Sequence, residues 1–322
     1  MDFDALIRVI SKDGCELSLD GQSTVVALGT FDGVHLAHRG LLQNAVIFKE
    51  QRHAKLCGAF CFYSSPISYL RGVEVPMICT FEQKLELMFD TGIDFVAVAD
   101  FAALCDVGAE RFVNDVLVAR LGCVGAVCGF NHRFGKGGLG DSRLLGSVLG
   151  QDAILTYPEV KINGETVSST AIREHLSRGE VSLARRMLGR PYSLVAPVLS
   201  GKKLGRTIGC PTANQVFPLR SVELKHGIYA TLCTTEDGST FVGASNVGVR
   251  PSIDANIDDH SLNCETLLAD FSRDVYGEIL RVDFYEYLRE ERKFDSLSEL
   301  SSAIRGDLDR AVEYFKSQKL IN

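Results

Sequence analysis

A chain of 322 residues has the length of about two domains. Its 46% hydrophobic and 23% charged residues exclude a disordered, collagenous or coiled-coil protein. With 34 basic and 41 acidic side chains the net charge is −7, which disfavours nucleic acid as a bulk partner unless local basic loops override the field.

The opening Met1-Asp2-Phe3-Asp4 carries acids where a secretion signal carries positive charge. The longest apolar stretch, near Leu121 to Phe130, is about half of a bilayer span. The expectation is a cytoplasmic protein without membrane association. From Ser23 to about Val160, apolar runs alternate with helical patterns, which predicts a parallel sheet covered on both faces. Strands are expected at Thr24 to Leu28, Cys57 to Phe62, Phe95 to Val98 and Val124 to Cys128. Helices are expected at Leu41 to Gln51, Phe81 to Thr91 and Glu110 to Leu121.

Two helical stretches follow Ser169-Thr170, and beyond Pro191 the pattern changes to period two with frequent turn residues. Strands at Ser193 to Leu199, His226 to Thr234, Thr240 to Asn246, Asn263 to Phe271 and Ile279 to Leu288 have the spacing of an antiparallel barrel. Apolar residues three or four apart from Leu297 to Phe315 predict a terminal amphipathic helix. Two abutting domains result, an α/β domain over 1–186 and a β-barrel domain over 187–322. The ten cysteines form no Cys-x-x-Cys pair, so they read as small buried residues with reduced thiols rather than as a zinc site or a disulfide framework.

The first strand runs into Gly29-Thr30-Phe31-Asp32-Gly33-Val34-His35-Leu36-Ala37-His38. A helix starting there offers free N–H groups and a positive dipole end to polyphosphate. Gly29 and Gly33 permit close backbone approach, and His35 and His38, three apart, face the same way on a first helical turn. A chance pair on a solvated helix and a metal pair are the competing readings. Two further segments are expected to converge on the same carboxyl edge: Gly129-Phe130-Asn131-His132-Arg133-Phe134-Gly135-Lys136-Gly137-Gly138, and Val167-Ser168-Ser169-Thr170-Ala171-Ile172-Arg173. The latter is either a phosphate-facing cap or an ordinary helix cap with a solvated arginine. Gly135, Gly137 and Gly140, with Glu159 19 residues on, also fit a dinucleotide fingerprint, but after the fourth strand instead of at the opening of the fold.

In the β half, the loop Gly201 to Gly209 (with Lys203, Gly205 and Arg206) suits a triphosphate. Thr212 and Asn214, two apart, present hard oxygens suited to Mg²⁺ on one face of an extended segment; a turn is the alternative. Glu265 is a carboxylate in an apolar strand, either a base toward a hydroxyl or an exposed edge acid.

Taken together, the two constellations resemble the bacterial bifunctional riboflavin kinase and FMN adenylyltransferase family, also called FAD synthetases. The N-terminal match runs over Gly29 to His38, Gly129 to Gly135 and Val167 to Arg173. The C-terminal match comprises Gly205-Arg206-x-x-Gly209-x-Pro211-Thr212-Ala213-Asn214, His226 to Ala230, Asn246 to Pro251, Glu265, and Arg289 to Phe294 with Ser296-Leu297. The resemblance implies a Rossmann-like nucleotidylyltransferase domain followed by a riboflavin kinase barrel, acting on the small molecules riboflavin, FMN and ATP with Mg²⁺ to yield FAD. It implies Glu265 as the kinase base, Thr212 and Asn214 as Mg²⁺ ligands, and the Gly201 to Gly209 loop over ATP. It implies Arg289 and Phe294 in the kinase flavin wall. In the adenylyl step it implies Gly29, Phe31, Asp32, Gly33, His35, His38, Asn131, Ser169, Thr170 and Arg173 around ATP, with Phe62 and Pro66 toward the flavin. Three positions depart from the family pattern: Ala37 replaces a glycine, His132 stands where Phe is usual, and Cys61 to Pro66 matches the flavin loop only loosely. A chain that retains one activity, and a non-catalytic flavin sensor, are the alternatives.

Overall fold

Thr24–Leu28 is buried along its whole length because it lies at the centre of a sheet covered on both faces. The computed structural model describes residues 3–200, 210–249 and 262–320. In its first compact unit, Met1–Ser169, the strands β1 (Ile7–Ser11), β2 (Thr24–Leu28), β3 (Leu56–Phe62), β4 (Phe95–Ala99), β5 (Cys123–Gly129) and β6 (Ile154–Tyr157) pair in the order β1-β4-β3-β2-β5-β6. All pairs are parallel except β1 with β4. A small hairpin, β7 (Lys161–Ile162) and β8 (Glu165–Thr166), follows.

Successive residues of β2 feed opposite cores. Val25 and Ala27 pack with Leu41, Leu42, Ala45 and Met88 of the helices Leu36–Gln51 and Phe81–Phe89. On the other face, Val26 and Leu28 pack with Val113, Val116, Leu117 and Leu145. These come from the helix Ser142–Leu149 and from Phe112–Arg120, which is wound as a π-helix rather than the expected α-helix. The chain passes from β2 to β3 and β4 on one side, then returns to place β5 on the other side of β2. That reversal makes the carboxyl ends of β2 and β5 a topological switch point, the ligand position of open α/β sheets.

The second compact unit is Thr170–Asn322. Its division from the first lies upstream of residue 187, so the helix Val181–Leu188 and all but the first residue of Ser169–Ser177 fall within it. Six antiparallel strands, β9 (Tyr192–Pro197), β10 (Thr212–Val216), β11 (Gly227–Thr234), β12 (Thr240–Val249), β13 (Leu262–Leu268) and β14 (Ile279–Arg289), pair as β10-β13-β12-β11-β14-β9. The sheet curls until its two ends meet at the bridge Leu199↔Asn214. Gln215 of β10 ties that seam by donating to the carbonyls of Ala196 and Leu280 at 2.8 and 2.7 Å. The helix Leu297–Ser317 lays Ala311 and Phe315 on Ala230 and Val242 of the sheet.

All ten cysteines are free thiols and seven are buried. Burial pushes Cys57 and Cys123 up to about 12, which keeps them protonated and unreactive. Among the described residues no helix is long and apolar enough to cross a membrane.

Candidate active sites

In the first unit, β2 ends on a contorted loop. Phe31 and Val34 hold positive φ of 52° and 38°, strain that side chains other than glycine rarely adopt and that folded proteins retain where a ligand is clamped. Phe31 is fully buried, and its ring tip comes within 3.0 Å of a Cβ placed on Gly29. Gly33, at φ 72°, has no room for a side chain beside Ile78. Asp32 braces the loop: its carboxylate accepts from the Ile78 N–H at 3.2 Å, and its carbonyl accepts from the Ser169 hydroxyl at 2.9 Å. Ser169 is thereby drawn to the loop.

His35 caps the helix Leu36–Gln51 by accepting the His38 N–H on Nδ1 at 3.3 Å. An accepting Nδ1 places the proton of a neutral ring on Nε2, where it is a donor. The two imidazoles stack with centroids 3.6 Å apart and planes 13° apart. Nδ1 of His38 is buried and has no hydrogen-bond partner among the described residues. Burial, then the neighbouring His35 and Lys84, hold His38 well below the ordinary histidine range, so it is neutral at pH 7. His38 is thus a neutral ring with a buried, unfilled nitrogen, stacked on the histidine that caps the helix.

Asn131 stands exposed in the turn after β5. His132 is neutral as well: burial lowers it to about 4, and its ring stacks on Phe134 at 5.9 Å, so it serves as an aromatic ring in the place of phenylalanine. Between pH 6.5 and about 4 the unfolded chain therefore takes up a proton that the folded unit refuses. Stability of the first unit falls with pH across that window, and His132→Phe should flatten the fall, as thermal midpoints between pH 7 and 4.5 will show. Phe62 packs edge-on against Phe60 and Phe101, and Pro66 opens the short helix Pro66–Arg71. Thr170 and Arg173 lie on the helix Ser169–Ser177, beyond the division between the units.

The dinucleotide fingerprint does not hold. Gly140 pairs with Phe134 in a bridge, and the next helix starts only at Ser142. Its N-terminus is already occupied by the Asp141 carboxylate, which accepts from the N–H groups of Arg143 and Leu144 and would repel a pyrophosphate. Glu159 instead accepts from Thr166 and pairs with Lys161.

In the second unit, register assembles the site. Asn214 lies opposite Glu265, Glu265 opposite Asn246, Asn246 opposite Ile228, and Ile228 opposite Arg289, one row across five strands. Directly opposed residues share a face, about 5 Å apart at Cβ. Thr212 is on that face too, two residues before Asn214. The alternate face is filled by buried Gln215, Cys264, Thr266 and Ser245, with the Ser245 hydroxyl 2.7 Å from that of Thr266 and 2.8 Å from that of Thr231. The amide nitrogen of Asn214 donates to the Thr212 carbonyl at 3.1 Å, which fixes its amide plane. Asn246, which sequence reasoning did not single out as a site residue, has a buried Oδ1 without a partner among the described residues, beside Glu265. The signal was available as a lone amide in an apolar strand.

At the end of the row, Arg289 donates to Asp307 through Nε at 2.9 Å and Nη2 at 2.5 Å, and to the Glu290 carbonyl through Nη1. Arg310 also donates to Asp307. Arg289 further lies 6.0 Å from the ring of Phe294. Asp307, buried on the apolar stripe of the terminal helix, thus locks that helix to the row. Removing it with Asp307→Ala strands a half-buried guanidinium and should cost about 3–5 kcal/mol, read as a lower urea midpoint of the second unit. Of the loop residues expected over ATP, Gly201, Lys203, Gly205, Arg206 and Gly209 lie outside the described residues, as do Arg250, Pro251 and Ser252.

Comparison with known proteins agrees with this geometry. The chain matches the FAD synthetase family over residues 18–171 and the riboflavin kinase family over residues 188–315. It is 30% identical to the bifunctional riboflavin kinase/FMN adenylyltransferase of Haemophilus influenzae, with 92% of this chain and 96% of that one covered. The Escherichia coli K12 enzyme of the same name is 34% identical, with 91% and 93% covered, and that of Bacillus subtilis 30% identical, with 91% and 93% covered. The crystal structure of a macrolide-efflux protein from Streptococcus pneumoniae shares the fold with a TM-score of 0.81 and 25% identity over 90% of this chain and 94% of that one. The chain belongs to the bifunctional riboflavin kinase/FMN adenylyltransferase family.

Proposed function

We propose that the barrel unit carries the kinase reaction and the α/β unit the adenylyl transfer, with the change of activity near residue 187. The protein is a bifunctional enzyme: it uses ATP to convert riboflavin to FMN and then FMN to FAD. The observation that carries the assignment is the row Asn214, Glu265, Asn246 on one barrel face, set against the stacked His35 and His38 at the sheet switch point of the other unit.

In the kinase site, Glu265 accepts the proton of the riboflavin 5′-hydroxyl, whose oxygen attacks the γ-phosphorus as ADP leaves. The buried Asn246 Oδ1 receives a ribityl hydroxyl and aims the nucleophile. The hard oxygens of Thr212 and Asn214 fit Mg²⁺, which binds through few protein ligands and substrate phosphates. When bound, the ion neutralises charge on the transferring phosphate. The Gly201 to Gly209 loop, outside the described residues, is the segment that the family resemblance assigns to ATP. Arg289 serves the flavin wall by holding Phe294 and the terminal helix rather than as a free cation.

In the adenylyl site, the FMN phosphate is already an anionic nucleophile and needs no base. Nε2–H of His35, the imidazole of His38, and the side chains of Asn131 and Ser169 hold ATP and donate to the phosphate oxygens as charge grows at the α-phosphorus. The Phe62 to Pro66 segment borders the flavin. Its place of action is the cytoplasm, which supplies ATP and keeps thiols reduced. Incubation with riboflavin and Mg-ATP should give FMN first and FAD later, with ADP and pyrophosphate as the respective co-products. Accumulation of FMN without FAD would contradict the two-site reading.

A further inference from the structure

Lys84 has no part in the assignments above, yet its environment is unusual. The residue is only 7% exposed. An ammonium has three donors, and among the described residues Lys84 makes one hydrogen bond, to the carbonyl of Phe62 at 2.8 Å, and no ion pair. The Phe81 ring lies 5.2 Å from Nζ, and the buried Cys61 thiol and the His38 imidazole both feel its charge. A buried cation without a counter-ion is costly. Folded proteins keep such a group where an anion will complete it. The carbonyl that holds Lys84 is the last residue of β3, at the carboxyl edge of the sheet, one strand from the loop that bears the histidines. The buried, unpartnered Nδ1 of His38 lies on the same edge. Two unsatisfied polar groups thus border one place.

The sides differ. The candidate ATP donors His35, His38, Asn131 and Ser169 occupy the β2 loop and the β5 side, whereas Lys84 and Phe62 occupy the β3 side. In an in-line displacement the attacking group and the leaving pyrophosphate lie on opposite sides of the phosphorus, so they require separate grips. We propose that Lys84 binds the 5′-phosphate of FMN, the attacking group, and so makes the adenylyl site select phosphorylated over unphosphorylated flavin. This rests on the reading of the first unit as the FMN adenylyltransferase. An FMN phosphate oxygen forms the new bond to the α-phosphorus of ATP, the bond to the bridging oxygen breaks, and pyrophosphate leaves with the electron pair. Lys84 neutralises the incoming phosphate and transfers no proton.

The test follows pyrophosphate release by the full chain from supplied FMN and Mg-ATP, in wild type, Lys84→Met and Lys84→Arg, with near-UV circular dichroism as the check of folding. Losing a charge-assisted contact should raise KM for FMN by about 10- to 100-fold in Lys84→Met, leave KM for ATP within about twofold, and be largely reversed in Lys84→Arg. An unchanged KM for FMN, a rise in KM for ATP instead, or a folded Lys84→Arg as impaired as Lys84→Met would each overturn the proposal. If Lys84→Met does not fold, Lys84→Gln takes its place against Lys84→Arg under the same criteria. No pyrophosphate from the wild type would overturn the adenylyltransferase reading itself, and with it the role of Lys84.

Discussion

Glu265→Gln should slow FMN formation from riboflavin by about 10²- to 10⁴-fold, the contribution of a positioned general base, while the same protein still converts added FMN to FAD. Glutamine keeps the length and planarity of the side chain, so its neighbours Asn214 and Asn246 retain their register and the barrel should remain intact. What it loses is the capacity to take the proton of the ribityl hydroxyl. The loss should therefore appear in kcat, with KM for riboflavin changed little, because the base acts in the transition state rather than in binding. Steady-state FMN production resolved by chromatography measures it. A variant that makes FMN at the parental rate would reassign the base.

His38→Ala should have the opposite signature: FMN is made and accumulates, and FAD formation falls by about 10²- to 10³-fold, the effect of removing one preorganised donor to a developing phosphate charge. His38 is the cleaner probe of the pair. His35 caps the helix Leu36–Gln51, so its loss would also release a helix end, whereas only the backbone N–H of His38 takes part in that cap. The ring of His38 contributes stacking on His35 and an edge contact with Phe31 at 5.2 Å. Half-buried and held neutral beside Lys84, the imidazole becomes a better donor as phosphate charge arrives, which ties its protonation to ligand binding. Normal FAD yield from His38→Ala would remove the histidines from the reaction.

Central strands were legible in the sequence because burial on both faces leaves an unbroken apolar run: Thr24 to Leu28 read directly, and Phe95 to Val98 falls one residue short of the strand Phe95–Ala99. The antiparallel edge strand Ile7–Ser11, with the exposed Arg8 in its pattern, did not stand out. Nor did Thr212–Val216 as a ladder strand, since three of its five residues are polar and its alternation follows directly on a glycine-rich loop. The histidine pair was legible because strand, glycines and helix start coincide in twelve consecutive residues or so. Asn246, Asp307 and Lys84 were not, for a common reason. Each is a single polar group whose meaning lies in what surrounds it in space: Glu265 across the ladder, Arg289 on another strand, the Phe62 carbonyl on a third element. Asp307 came nearest, as an acid on the apolar stripe of an amphipathic helix. The glycine fingerprint at Gly135 to Gly140 misleads in the other direction, since Gly135 is small because Ala109 lies 2.5 Å from where its Cβ would be, not because a nucleotide approaches.

Mixing the two variants tests the division of labour most directly. Glu265→Gln and His38→Ala are incubated singly and together with riboflavin and Mg-ATP, and FMN and FAD are followed in time. The account predicts little of either product from Glu265→Gln, FMN alone from His38→Ala, and FAD from the mixture as FMN released by one variant is used by the other. FAD from either variant alone at the parental rate, or a mixture that stops at FMN, would contradict it.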